Sequence, residues 1–206
     1  MMDDRPVDPR AAGFETLGDR MIERGFSETS ELRELRERAV SMLRDAAQNE
    51  ELNQEAVAIF GQYQDLAMAE IDKKIDENPD EQDVIQAKGR LGLILVSAAI
   101  REEAGFQNLS NIHLLSAYLE ADESRQIAEP IYEASFDIEE TLVFRLWQLL
   151  ESHEIRPDES MCNMPYDEAL NYTEGALAEK TESPLEILHG AGFYYLSEDF
   201  PGYPSR

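Results

Sequence analysis

The sequence predicts an all-α fold, a globular bundle of seven or eight helices around one buried central helix over about residues 80–104. Apolar residues recur every three or four positions along most of the chain, which is typical of amphipathic helices. The window 91–100 is largely apolar and uncharged. We therefore expect a flexible arm over 1–10, a single helical domain over 11–196, and an irregular tail of aromatic residues and proline over 197–206.

Three amphipathic segments precede the central helix. The apolar spacing predicts a short helix over 11–24, a second over about 31–47 and a third over about 50–78. Ser30 is the expected N-terminal cap of the second helix, because a serine hydroxyl can accept a hydrogen bond from a free backbone N–H. Each segment carries one apolar seam that should face the core.

The central segment has a start signal at Pro79 and a stop signal at Gly105. Its second half is apolar on all sides, so we expect burial on all sides. Gly89 and Gly92 would each cost about 1 kcal/mol relative to alanine, but they would permit close approach of another helix. A short buried strand over 91–97 is the alternative, because periodicity alone does not separate the two structures.

After the central helix, Asn108 or Ser110 can cap a fifth helix. Pro130 is expected to limit helical continuity, because proline lacks the N–H that an interior position needs. The next helix is therefore predicted to begin at Ser135 or Asp137, with acidic residues in its first turn.

A further helix is predicted over 166–180. The sequence Ser183-Pro184-Leu185-Glu186 then resembles a capping box with proline in the first turn. The helix that begins there is expected to reach about Tyr195.

The regular spacing of the predicted helices raises the alternative of a repeat solenoid. Helix starts in the middle of the chain lie about 28–30 residues apart. The residue pattern does not recur at that period, so a globular bundle is favoured.

The strongest compositional feature is acidity. The chain has 44 acidic and 18 basic residues, which gives a net charge of −26, and only four of the bases are lysine. Such an excess destabilises a compact fold unless salt screens it, and at molar salt the Debye length is about 3 Å. Adaptation to a salt-rich cytoplasm is the favoured interpretation, and an acidic nucleic-acid mimic that binds a basic partner is an alternative. Nucleic-acid binding is disfavoured, because the chain lacks a basic stripe.

The basic residues are concentrated early in the chain. Residues 1–50 hold 8 of the 18 bases and 12 of the 44 acids. This half could dock against an acidic surface of its own chain or of a partner, and the aromatic residues near the C-terminus could form a docking strip. The predicted interaction residues are Arg33, Arg36, Arg44, Tyr194, Tyr195, Phe200 and Tyr203.

One motif could bind a metal ion. Glu186 and His189 form an E-x-x-H pair, which lies on one helix face and supplies two ligands in di-iron bundles. Those bundles need a second such motif, which this chain lacks, and Glu186 has an alternative duty in the capping box. Cys162 is the only cysteine, so neither an intrachain disulfide nor a thiolate zinc cluster can form.

Known catalytic and phosphate-binding motifs are absent from the sequence. An enzyme is therefore not favoured, and we expect no cofactor. The N-terminus lacks the apolar region of a secretion signal, which predicts a cytoplasmic protein. The favoured function is a non-catalytic interaction or assembly module of a salt-adapted cell or its virus. Its expected partner is another protein or a second copy, rather than nucleic acid or a membrane; a metal-binding bundle is the first alternative.

Overall fold

The computed structural model describes residues 28–46 and 50–196. They form an all-α fold without strands in the described part, as predicted. Two short 3-10 turns, Pro79–Glu81 and Glu159–Asn163, lie between helices. The seven α-helices are α1 (Ser30–Ala46), α2 (Glu50–Glu77), α3 (Gln82–Glu103), α4 (Gln107–Ser124), α5 (Glu129–Ser152), α6 (Tyr166–Ala178) and α7 (Pro184–Gly190).

Three of the predicted segments fall outside this range. They are the arm over 1–10, the helix over 11–24 and the tail over 197–206. These segments stay predictions.

Helix α3 is the central element, as the uncharged window 91–100 predicted. Two clusters of buried apolar side chains form the core, and α3 contributes to both. Leu91 and Leu95 belong to the larger cluster, which α4, α5 and α6 complete. Val96 and Ile100 belong to the smaller cluster with α1 and α2. Because α3 buries opposite sides in different clusters, an uncharged sequence is needed around its whole circumference. The alternative of a strand is wrong.

Gly89 permits the close approach of α2 and α3. A Cβ atom added there would lie 2.5 Å from Cδ1 of Ile71, and Ile71 is itself fully buried on α2. The missing side chain therefore makes room for a core isoleucine, and this contact offsets the poor helix propensity of glycine.

Gly105 ends α3 as predicted. Its φ is +90°, a conformation that glycine adopts without a steric penalty. The backbone N–H of Phe106 donates to the carbonyl of Arg101 at 2.7 Å, and that of Gly105 donates to Glu102 at 2.9 Å. This pair of hydrogen bonds is the Schellman motif, which satisfies carbonyls at the helix end.

The prediction that α5 begins at Ser135 or Asp137 is wrong. The helix begins at Glu129, and Pro130 lies in its first turn. Proline is tolerated there because the first N–H groups of a helix have no intrahelical acceptor. Pro130 therefore stands at a helix start and not in a helix interior, where it would break the helix.

Three predicted caps also differ from the structure. Helix α4 begins at Gln107, before the predicted caps Asn108 and Ser110, and Phe106 occupies its N-cap position. Thr29, not Ser30, caps α1: its Oγ1 accepts from the N–H of Leu32 at 3.3 Å. Ser183 precedes α7 as expected, but its side chain makes no capping hydrogen bond. Helix α7 ends at Gly190 rather than near Tyr195.

The early end of α7 follows from a second glycine turn. Gly192 has a φ of +85°, and the N–H of Phe193 donates to the carbonyl of Leu188 at 2.9 Å. The turn directs Phe193 into the core, where it is fully buried. A Cβ atom on Gly192 would overlap the backbone carbonyl of Asn108 on α4. Glycine is therefore required both by the turn and by the packing of the chain on α4.

Candidate interaction surface

Helix α5 is fixed in the bundle by a buried arginine. Arg145 is only 5% exposed, and its Nη2 forms an ion pair with Oε2 of Glu102 near the end of α3. Its Nη1 donates to Oγ of Ser110 at 3.2 Å and to Oδ1 of Asn111 at 2.5 Å, both on α4. A buried charge is tolerated only where such partners replace its hydration. Arg145 therefore holds α5 in one register against α3 and α4.

The same network reaches the C-terminal part of the described chain. Nδ2 of Asn111 donates to the carbonyl oxygen of Ala191, just after α7, at 2.8 Å. Gln107 completes the network when its amide oxygen faces the guanidinium, where it accepts from Nη1 and Nε of Arg145 at 3.1 and 3.2 Å. Three helices and the residue that follows α7 thus share one set of polar contacts.

A second polar contact holds the other half of α5. Oε1 of Glu139 accepts from the hydroxyl of Tyr118 on α4 at 2.9 Å and from the backbone N–H of Tyr166, the first residue of α6, at 2.9 Å. Burial raises the pKa of Tyr118, and the hydrogen bond to Glu139 raises it further. The phenol of Tyr118 therefore stays protonated near neutral pH and serves as a hydrogen-bond donor rather than as a base. Burial also raises the pKa of Asp167, and the negative charge of Glu139 raises it further.

Two aromatic side chains in the first half of α5 are half exposed. Tyr132 and Phe136 lie one turn apart and are both 47% exposed. Their ring centroids are 4.9 Å apart and their planes meet at 81°, which is the favourable edge-to-face geometry. We call Tyr132 and Phe136 the aromatic surface.

Acidic residues border the aromatic surface. Residues 129–140 contain five acids and no base. Glu129, Glu133 and Glu140 are exposed, and their spacing of four and seven residues places them on one side of the helix. We call these three residues the acidic border. The two groups together make an apolar patch beside a row of negative charge.

The aromatic surface was not predicted, because the expected start of this helix, Ser135 or Asp137, lies after Tyr132. The available signal is an aromatic pair at i and i+4 that falls outside the helix face shared by the buried residues Ile131, Ala134 and Ile138.

The predicted metal pair, Glu186 and His189, lies exposed on the short helix α7. The imidazole of His189 stacks on the ring of Tyr194, with centroids 4.5 Å apart and planes at 12°. Across residues 28–46 and 50–196, no group of three or more histidine, cysteine or acidic side chains is placed to hold a metal ion. The structure therefore adds no third ligand to this pair, whose metal binding stays a prediction.

The predicted interaction arginines lie on α1. Arg36 makes a bidentate contact with Glu28, at 2.9 Å from Nε and 3.2 Å from Nη2. Nε of Arg33 lies 3.6 Å from the same carboxylate. Nη2 of Arg44 donates to the carbonyl of Glu103 at the end of α3, at 2.9 Å. All three thus interact within the chain, and Arg44 stabilises the negative end of a helix.

The two described tyrosines of the predicted strip also have intramolecular partners. The hydroxyl of Tyr195 contacts the carboxylate of Glu174 and donates to Oδ1 of Asn171 at 2.9 Å. Burial is the main cause that raises the pKa of Tyr195 to about 12, and the hydrogen bond to Glu174 is the second. The hydroxyl of Tyr194 donates to the carbonyl of His189 at 3.4 Å. Phe200 and Tyr203 lie outside the described residues.

None of the described helices has the length and apolar character needed to cross a membrane. No protein-family model, curated protein or solved structure matches this chain. The aromatic surface, defined by its own geometry, is the candidate site.

Proposed function

We propose that this protein is a non-catalytic interaction or assembly module, and that the aromatic surface of α5 is where its partner binds. The observation that carries the proposal is the half-exposed, edge-to-face pair of Tyr132 and Phe136. Aromatic side chains are enriched at the centres of protein interfaces, because they bury a large area at little cost in conformational entropy.

The rigidity of the supporting helix adds to this argument. The side chains of Arg145 and Glu139 connect α5 to α3, α4 and α6. A surface whose backbone is held in this way loses little freedom when a partner binds. The aromatic pair is thus presented in a fixed orientation.

The acidic composition supports a salt-rich environment for this protein. A net charge of −26 on 206 residues is compatible with folding where salt screens the repulsion. We place the module in a salt-adapted cell or its virus, and we expect its interfaces to depend on apolar contact, which molar salt does not screen.

Affinity capture at molar KCl tests the proposal. Tyr132→Ser with Phe136→Ser removes the aromatic pair, and Val57→Ser with Met68→Ser removes two other exposed apolar side chains, on α2. We expect wild type and the α2 variant to retain a partner that the α5 variant loses. Retention of the partner by the α5 variant would contradict the proposal, and so would a monomeric wild type that captures nothing.

A further inference from the structure

We infer that the partner segment is a cationic amphipathic helix, whose apolar residues cover Tyr132 and Phe136 while its lysine or arginine side chains face the acidic border. This inference rests on the proposed function and specifies the partner. It follows from the arrangement of charge beside the aromatic pair.

The acidic border matches the geometry of a helix. Glu129, Glu133 and Glu140 lie at spacings of four and seven residues on one side of α5. With a rise of 1.5 Å per residue, their Cα atoms are separated along the helix axis by about 6 Å and about 10 Å. A partner helix packed along α5 with basic residues at the same spacings would place each cation opposite one carboxylate.

The spacing of the aromatic pair also favours a helical partner. Tyr132 and Phe136 are one turn apart, so their rings form a short strip along α5. Apolar residues at helical spacing on a second helix would cover such a strip, as in other interfaces where an amphipathic helix supplies anchors at i, i+3 and i+4.

A second copy of this chain is a poor occupant of this surface. A twofold contact would bring the same patch from both copies together, and each patch carries the acidic border. Residues 129–140 contain five acids and no base, so a twofold contact would desolvate carboxylates of both copies without supplying a cation, and salt does not remove that cost. A basic segment supplies cations and forms opposite-charge pairs.

Fluorescence anisotropy with two labelled synthetic peptides tests the inference on the full chain. Both peptides are 18-residue helices with the same leucine face; one carries lysines at spacings of four and seven, and the other carries glutamates there. The buffer is the lowest KCl concentration at which circular dichroism shows the protein folded. We expect the lysine peptide to bind at least about tenfold more tightly than the glutamate peptide.

Two charge-reversal variants separate the acidic border from bulk charge. One changes Glu129, Glu133 and Glu140 to lysine. The other changes Glu77, Asp80 and Glu81 to lysine; these residues are exposed around the turn between α2 and α3, and the net charge changes equally. We expect the first variant to prefer the glutamate peptide and the second to keep the wild-type preference. Equal loss of preference in both variants would overturn the inference, because it would show attraction to bulk charge.

A Phe136→Ser variant distinguishes failure of the basic-helix inference from failure of the proposed interaction function. Loss of lysine-peptide binding in this variant supports the inference. If the peptides bind equally to wild type, yet the affinity-capture partner is lost with Tyr132→Ser and Phe136→Ser, the interaction function stands and the basic-helix partner is wrong. If neither binding nor capture responds to the aromatic residues, both proposals are wrong.

Discussion

Arg145 on α5 and Glu102 near the end of α3 form an ion pair that the bundle almost closes off from water. Their side chains are 4% and 15% exposed, and residues of α4 complete the hydrogen bonding of the guanidinium. A pair of this kind adds little net stability over well-packed apolar residues, but removing one partner leaves the other as an unpaired buried charge. The pair therefore acts mainly to select one arrangement of α3, α4 and α5.

Replacing Arg145 with methionine should strongly destabilise the fold. The carboxylate of Glu102 would lose its cation, and we expect the free energy of unfolding to fall by about 3–5 kcal/mol. Urea unfolding at constant KCl measures this change. Arg125→Met is the control, because its ion pair with Asp122 is half exposed and should contribute less than about 1 kcal/mol. Equal effects of the two substitutions would show that the buried pair has no special role.

His113 should make the fold sensitive to acid. Burial lowers the pKa of this imidazole, the positive charge of Arg101 lowers it further, and together they bring it from 6.5 to about 4. The folded state thus favours the neutral imidazole, so the stability from this group is complete above pH 6.5 and is lost as the pH falls to about 4. The maximum loss is about 3 kcal/mol.

A comparison of two proteins isolates this effect. Unfolding by urea at pH near 7 and near 4 should show a smaller acid-induced loss for His113→Gln than for wild type. The carboxyls of Asp167 and Glu120 have raised pKa values and change stability in the opposite direction, but they are present in both proteins. An identical loss in wild type and variant would contradict the assignment. His189→Gln, at an exposed position, is the control for loss of a histidine.

Glu154 occupies a position that glycine would fill better. Its φ is 57°, and the N–H of Ile155 donates to the carbonyl of Leu150 at 3.0 Å, so the Schellman turn that ends α5 has a glutamate at its left-handed position. Relief of this strain in Glu154→Gly should raise stability by about 1 kcal/mol, or the melting temperature by about 2–4 °C. Glu151→Gly removes the same charge from the last turn of α5 and should lower stability by about 1 kcal/mol. A lower melting temperature for Glu154→Gly would contradict the prediction.

The proposed salt adaptation predicts a strong dependence of stability on ionic strength. Dialysis from molar to about 0.01 M KCl lengthens the Debye length from about 3 Å to about 30 Å, so repulsion among the acids increases. We expect a markedly lower melting temperature, or loss of helical signal in circular dichroism. The variant with Glu77, Asp80 and Glu81 changed to lysine should depend less on salt, because it carries less net charge. Equal stability of wild type at both concentrations would show that its acidity has another origin.

Local chemistry made much of the fold predictable. The uncharged window 91–100 indicated a helix buried on all sides, and Gly105 indicated its end, because both signals depend on a few adjacent residues. Pro130 was less informative, since proline is compatible with a helix start as well as with a break. Its meaning depends on where the preceding helix ends, which is a property of the packing.

The polar network and the aromatic surface could not be predicted in the same way. Arg145 is a single charge among apolar residues, which signals a buried partner, but Glu102 lies 43 residues away and only the fold brings them together. The exposure of Tyr132 and Phe136 depends on which face of α5 the neighbouring helices cover. Long-range packing, rather than local pattern, determines both features.

Site-specific photo-crosslinking tests the central proposal most directly. A benzophenone amino acid in place of Phe136, in the full chain at native salt in the cell of origin, reports what lies against the aromatic surface. The same amino acid in place of Val57, which is exposed on α2, is the control. We expect a defined crosslinked protein at position 136 that is absent at position 57. No adduct at position 136, or the same adducts at both positions, would contradict the proposal.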